Sequence, residues 1–168
     1  MLDETTRRRP RWGLCANGKA PTVAQHTVEG AEWAYASTLA LRGADDAWTA
    51  TRHFIVHDWA EAYLGDVRAP LKALPEFAPL RALEKRIDAV IRKRMDLAVV
   101  VPDWVDAVVA MADKEDARRE QRWLLPAHSC WGGLSDVRGM PKFAWSSEMA
   151  KSRLVQLVEK FWGAEVWR

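Results

Sequence analysis

Apolar residues recur at intervals of three and four along most of the chain, the spacing of a helix face rather than the alternation of a strand. After Pro21, Thr22 followed by Gln25 reads as a capping box, and Gly43 closes the helix that begins there. Asp45 or Asp46 can cap a second helix, whose inward positions run Ala50, Phe54, His57, Asp58 and Glu61 and which Gly65 should stop. Pro70, Pro75 and Pro79 exclude a long regular helix between Val67 and Pro79 and predict a shaped loop. Leu80, Leu83, Ile87, Ile91 and Met95 mark a third amphipathic helix, with Glu84, Asp88 and Arg92 on its wet side. The segment AVVVPD that follows is β-like in composition, or equally a buried connector. Asp103 can cap a fourth long helix through Trp123, with Val105, Val108, Ala112 and Leu124 inward. Pro126 to Pro141 holds Gly132, Gly133 and Gly139 and reads as a loop. A last helix runs from Ser147 to Trp162 with Leu154, Leu157, Val158 and Phe161 on one face. With no internal repeat and no convincing strand pair, the pattern predicts an all-α helical bundle.

Composition narrows this picture little. The 168 residues fit one domain at roughly 150 residues each. Hydrophobic residues at 49% and charged residues at 29% exclude a disordered or collagen-like chain. No apolar run approaches the roughly 20 residues of a bilayer span, and MLDETTRRRPRWG lacks the apolar stretch of a secretory signal. Cys15 and Cys130 lie far apart, outside any CxxC pair, and read as free thiols. The expectation is a cytoplasmic protein (host cytoplasm, if viral) with no membrane partner. A net charge of +2 is too mild to argue for polymeric nucleic acid. Two basic clusters, Arg7, Arg8, Arg9 and Arg11, then Lys114, Arg118, Arg119 and Arg122, are solvated faces or contacts to a phosphorylated small molecule. Ten tryptophans point to core or subunit-contact anchors.

The candidate chemistry lies in polar residues where apolar ones are expected. His57 and Asp58 follow Phe54, Ile55 and Val56, and Glu61 lies three and four residues on, hence on the same helical face. Buried ionisable groups cost several kcal/mol unless paired or metal-bound. His26 lies within VAQHTVEGA and Asp113 within VVAMADKED. Together His26, His57, Asp58 and Asp113 offer two imidazoles and two carboxylates from three helices. Such a set suits Mn²⁺, Co²⁺, Ni²⁺ or Zn²⁺ and, in six-coordination, leaves positions open for water or substrate. The bland readings are a surface histidine at His26, an Asp113 that caps or pairs with Lys114 or Arg118, and a Glu61 paired with an arginine. Asp116 and Glu115 compete with Asp113 as acids. His53 either supports a ligand or packs in the core, and His128 has no evident partner.

The series H…HD…D, carried by VAQHTVEGA, HDWAEAYLGDVRAPLK and MADKED, resembles the HD-domain phosphohydrolases. HD-x-x-E followed by Gly-Asp and then Pro-x-Lys looks like the branch holding bacterial 5′-deoxynucleotidases and phage dATP triphosphohydrolases of the DatZ type. The resemblance spans roughly residues 11–125 and leaves 126–168 without a motif. It implies an all-α, metal-dependent HD domain in which His26, His57, Asp58 and Asp113 hold the catalytic metal and Glu61 orients or deprotonates the attacking water. It further implies that Arg11 and Lys72 meet phosphate, Trp12 stacks on the base and Leu14 lines the base pocket. Pro70 would crowd the sugar C2′, and Asp66 would lie near the sugar or cap locally. Without the resemblance, Trp12 could pack on another subunit, Pro70 could end a turn and Lys72 could be solvated.

The implied reaction is dATP plus water to deoxyadenosine plus triphosphate, by attack of metal-activated water at the α-phosphorus, with extra Mg²⁺ ions travelling with the triphosphate. The implied partners are a small deoxynucleotide and further copies of the chain in a homo-oligomer, a hexamer among them. A 5′-deoxynucleotidase acting on monophosphates is the alternative. Ala62 after Glu61 argues against an alarmone hydrolase, and a silent nucleotide-binding scaffold is the reading from outside enzymes.

Overall fold

The computed structural model describes residues 21–65, 67, 69–124 and 144–167. They form α1 (Val23–Arg42), α2 (Ala44–Val56), the single turns α3 (Glu61–Leu64) and α4 (Ala69–Lys72), α5 (Ala78–Arg94), α6 (Asp103–Leu124) and α7 (Ser147–Trp162). Pro75–Phe77 and Ala164–Trp167 are 3-10 turns, and the described residues contain no strand. The class is all-α, as the periodicity predicts.

The centre of the bundle is α1, against which α2, α6 and α7 all pack. Its sequence explains why. Ala24, Val28, Ala31 and Ala34 are buried small side chains, so three neighbours can approach one helix. Gly30 allows the closest approach: a Cβ there would lie 2.2 Å from Phe54 Cζ, so the Phe54 ring of α2 rests directly on the α1 backbone. The Thr22 hydroxyl caps α1 by accepting from the Gln25 N–H at 3.1 Å. The Gln25 side-chain oxygen accepts from the Trp145 backbone N–H at 2.9 Å, tying the approach to α7 onto α1. Gly43, at φ 95°, ends α1 as expected. It also directly precedes α2, so neither Asp45 nor Asp46 is that helix's cap; both sit in its first turn, facing the positive end of the helix dipole.

Helix α5 starts earlier than the three prolines suggest, because Pro79 occupies its first turn, where a missing N–H costs nothing. Pro70 lies in α4 and Pro75 in a 3-10 turn, so the shaped loop is two short helical pieces. The stripe of α5 docks mainly through its end. Ile91 and Met95 are buried and Ile87 packs partly buried against the core, while Leu83 is 40% exposed. On its supposed wet side, Asp88 and Arg92 are half-buried and paired at 2.9 Å. The Met95 carbonyl at the end of α5 accepts from Arg52 of α2 at 3.3 Å and from Trp162 Nε1 of α7 at 2.6 Å.

The segment before α6 is a connector, but an exposed one. Val100 is 88% exposed, because a link between two helix ends runs over the surface. Asp103 is the first residue of α6 rather than its cap. Val105 and Ala112 are fully buried, and Val108 partly. Helix α7 has the expected bounds, capped by Ser146 Oγ, which accepts from the Met149 N–H at 3.2 Å. Trp33, Trp59, Trp145 and Trp162 pack at the margin of the core. In the second basic cluster Lys114 and Arg118 are exposed, while Arg119 turns toward Asp116 at 3.7 Å. The Arg7–Arg11 cluster, the Pro126–Pro141 loop, Cys15, His128, Cys130 and the Leu124 side chain lie outside the described residues. No helix among the described residues is long and apolar enough to cross a membrane.

Candidate metal centre

The sequence places His57 and Asp58 in mid-helix, and the structure corrects this. Helix α2 ends at Val56, His57 is its C-cap, and residues 57–60 form turns. The N–H groups of His57, Trp59, Glu61, Ala62 and Tyr63 each bond a carbonyl three residues back, at 3.0–3.2 Å. This tighter winding replaces one long helix by two. The Phe54 carbonyl accepts both the His57 backbone N–H at 3.2 Å and the ring Nδ1–H at 2.6 Å. The imidazole therefore bonds to the last turn of the helix it terminates. Glu61 then opens α3, which Gly65 closes at φ 79°.

His26, on the second turn of α1, is fully buried. Its Nδ1 lies 2.7 Å from Asp116 Oδ2 of α6. Its Nε2 faces Asp113 Oδ1 at 3.4 Å and Asp58 Oδ2 at 3.7 Å. His57 Nε2 lies 3.1 Å from Asp58 Oδ1. One ligand atom each from His26, His57 and Asp113 falls within a 4.8 Å span, a group able to hold a metal ion. Asp58 borders both rings, so the four residues expected from three parts of the chain do converge. The Phe54 ring braces them, with its centroid 4.3 Å from that of His57 and 5.7 Å from that of His26.

The donor chemistry fits a cation. Each Nδ1 has a protein partner, a carboxylate for His26 and a backbone carbonyl for His57, and donating there places the ring's lone pair on Nε2. Both Nε2 atoms are buried and make no hydrogen bond. Burial pushes the His57 ring below its ordinary value; Asp58 and Asp113 push it up, and His26 pushes it down. For His57, whose burial favours the neutral ring, a lone pair toward Asp58 is a repulsive contact that a shared divalent cation would convert into ligation.

Asp116 is the residue that spacing alone did not single out. It is one turn beyond Asp113 on α6 and only 1% exposed. Its bond to Nδ1 fixes the His26 ring, the role a carboxylate commonly plays behind a metal-binding histidine. The usable signal was the i, i+3 relation of two acids on one helix. Glu120, a further turn on, is also fully buried, and with His26 and Asp116 it forms a second possible group. His53 is buried, with Arg92, Asp106 and Arg52 as its charged neighbours, and it belongs to none of the groups able to hold a metal ion among the described residues.

Of the remaining expected residues, Lys72 lies near Glu61 and others lie outside the described residues. Lys72 ends α4 with Nζ 4.0 Å from Glu61 Oε1 and bonded to Glu84 Oε1 of α5. Glu84 thus pairs with Lys72 instead of forming part of a purely wet face. Pro70 lies exposed on α4, two residues before Lys72. Arg11, Trp12, Leu14 and Asp66 lie outside the described residues. No protein-family model matches the chain, and a search of curated proteins finds no match.

Proposed function

We propose that the protein is a metal-dependent phosphohydrolase of deoxynucleotides, converting dATP and water to deoxyadenosine and triphosphate. The observation that carries this reading is the convergence of two imidazole Nε2 atoms with the Asp58 and Asp113 carboxylates, while each Nδ1 is bonded elsewhere. His26, His57, Asp58 and Asp113 would hold a divalent cation such as Mn²⁺, Co²⁺, Ni²⁺ or Zn²⁺, which supplies positive charge and Lewis acidity beside a phosphoryl group. Glu61, at the start of the next helix, accepts a proton from the water that attacks the α-phosphorus. The bond from phosphorus to the 5′-oxygen breaks, and that oxygen leaves protonated as the nucleoside hydroxyl. Lys72 contributes positive charge on the Glu61 side, where a phosphate chain would lie. The HD-domain resemblance of HDWAEAYLGDVRAPLK supports the same assignment, with Arg11 on phosphate and Trp12, Leu14 and Pro70 around base and sugar. A homo-oligomer belongs to the same reading.

One observation favours the monophosphate alternative. Glu84 already neutralises Lys72, which suits a ligand of lower charge than a triphosphate. Incubation with deoxy- and ribonucleotides plus Mn²⁺ or Co²⁺, with products identified by mass, separates the two. Deoxyadenosine plus triphosphate from dATP is the expected result. Orthophosphate from dAMP, with dATP intact, moves the assignment to a 5′-deoxynucleotidase, and no hydrolysis of any nucleotide overturns both.

A further inference from the structure

The first turns of α5 grip the end of α4 at two points. Arg81 donates to the backbone carbonyls of Lys72 and Leu74, the latter at 2.9 Å. One turn along, Glu84 bonds the Lys72 ammonium. A long flexible lysine is thus held at backbone and at charge by one helix, and all three side chains of the Glu61–Lys72–Glu84 series are only 22–25% exposed. Loose surface ion pairs are worth little, but a half-buried, charge-assisted bond anchored at both ends holds its donor in place. The Lys72 ammonium stands between two carboxylates, close on Glu84 and 4.0 Å from Glu61.

We propose that Glu84 is a specificity-determining residue that sets how strongly Lys72 attracts a phosphoryl group. This rests on Lys72 being a phosphate contact, as in the function proposed above. In the free protein Glu84 holds the ammonium and cancels its charge. A phosphate arriving beside Glu61 must draw Nζ away from Glu84, so each ligand bears the cost of breaking that pair. Glu84→Gln keeps the shape and the hydrogen-bond acceptor but removes the competing charge.

The test is calorimetric titration of inorganic phosphate into protein loaded with stoichiometric Mn²⁺, for wild type, E84Q, K72M and the double variant, with helicity checked by circular dichroism. E84Q is expected to tighten phosphate about three- to tenfold, the scale of one charge-assisted pair, and to make no difference in the K72M background. A merely structural Glu84 gives the opposite sign, since its loss would disorder Lys72 and weaken binding. Unchanged or weaker binding in E84Q, an E84Q effect that survives in K72M, or no phosphate binding by either wild type or E84Q overturns the proposal. Should E84Q misfold, Glu84→Ala read in the same titration decides the question. A wild type that hydrolyses no nucleotide while E84Q still tightens phosphate refutes the proposed function and leaves this inference standing.

Discussion

The two sides of the site are built differently. On the inner side His26, Asp116, Phe54 and Gly30 are buried within α1, α2 and α6, the imidazoles of His26 and His57 are each held by a hydrogen bond at Nδ1, and the Phe54 ring is held by packing. On the outer side Glu61, Lys72 and Glu84 are partly exposed, sit on single-turn helices or on α5, and are held by ion pairs. A ligand cage needs geometry fixed to a fraction of an ångström, which close packing supplies. A group that must move a proton or follow a phosphate benefits from lighter restraint, and half-buried charges give it. Under the proposed function, the inner side would govern metal affinity and stability, and the outer side turnover and selectivity.

The largest expected effect comes from the outer side. Glu61→Ala should lower kcat about 10²–10⁴-fold, the scale of lost acid–base help, while metal content by elemental analysis stays unchanged. Loss of the metal together with activity would erase the division between the two sides. On the inner side, Asp116→Asn should weaken Co²⁺ affinity about 10–100-fold, measured from the cobalt visible spectrum, because the His26 ring loses its anionic acceptor. An unaltered Co²⁺ titration would leave Asp116 with no role behind the ligand. Gly30→Ala should destabilise the fold by about 1–3 kcal/mol in denaturant unfolding, since the new methyl meets the Phe54 ring. It should also weaken Co²⁺ binding, because that ring braces His57 and His26. Equal stability would show that Phe54 shifts freely, against the packing argument.

The smallest effect concerns His53, which is not one of the possible ligands. Burial, with Arg92 and Arg52 adding to it against Asp106, lowers this ring from 6.5 to about 4. The unfolded chain therefore binds more protons than the folded one between those values, so this contribution is full above pH 6.5 and is lost as pH falls toward 4. His53→Gln should flatten the acid limb of a melting-temperature profile recorded over that range. A profile that keeps its slope would place the acid sensitivity in other groups.

Much of this was readable along the chain, for reasons particular residues show. Thr22, Gly43, Gly65 and the stripe through Leu154 and Val158 act locally: caps and periodicity depend on neighbours within a few residues. The four clustered residues were legible because a histidine and acids inside apolar runs have few inexpensive explanations. The turn at His57 was not, since its cause is a ring nitrogen competing for the Phe54 carbonyl, and periodicity cannot register that. Glu84 and Asp88 read as solvent-facing because a helix wheel sorts by polarity alone. It contains no information on which charged face another segment will cover.

By itself, then, the sequence determined the helical class, most helix bounds and one group of residues that could bind a cation, His26, His57 and Asp113, all properties of short-range spacing and side-chain chemistry. Only the tertiary structure decided that Asp116 stands behind His26, that Gly30 seats Phe54, and that Glu84 reaches Lys72. Those contacts join residues up to 90 positions apart, and they exist only once α1 is enclosed by its neighbours, because burial makes an unpaired charge costly and so selects its partner.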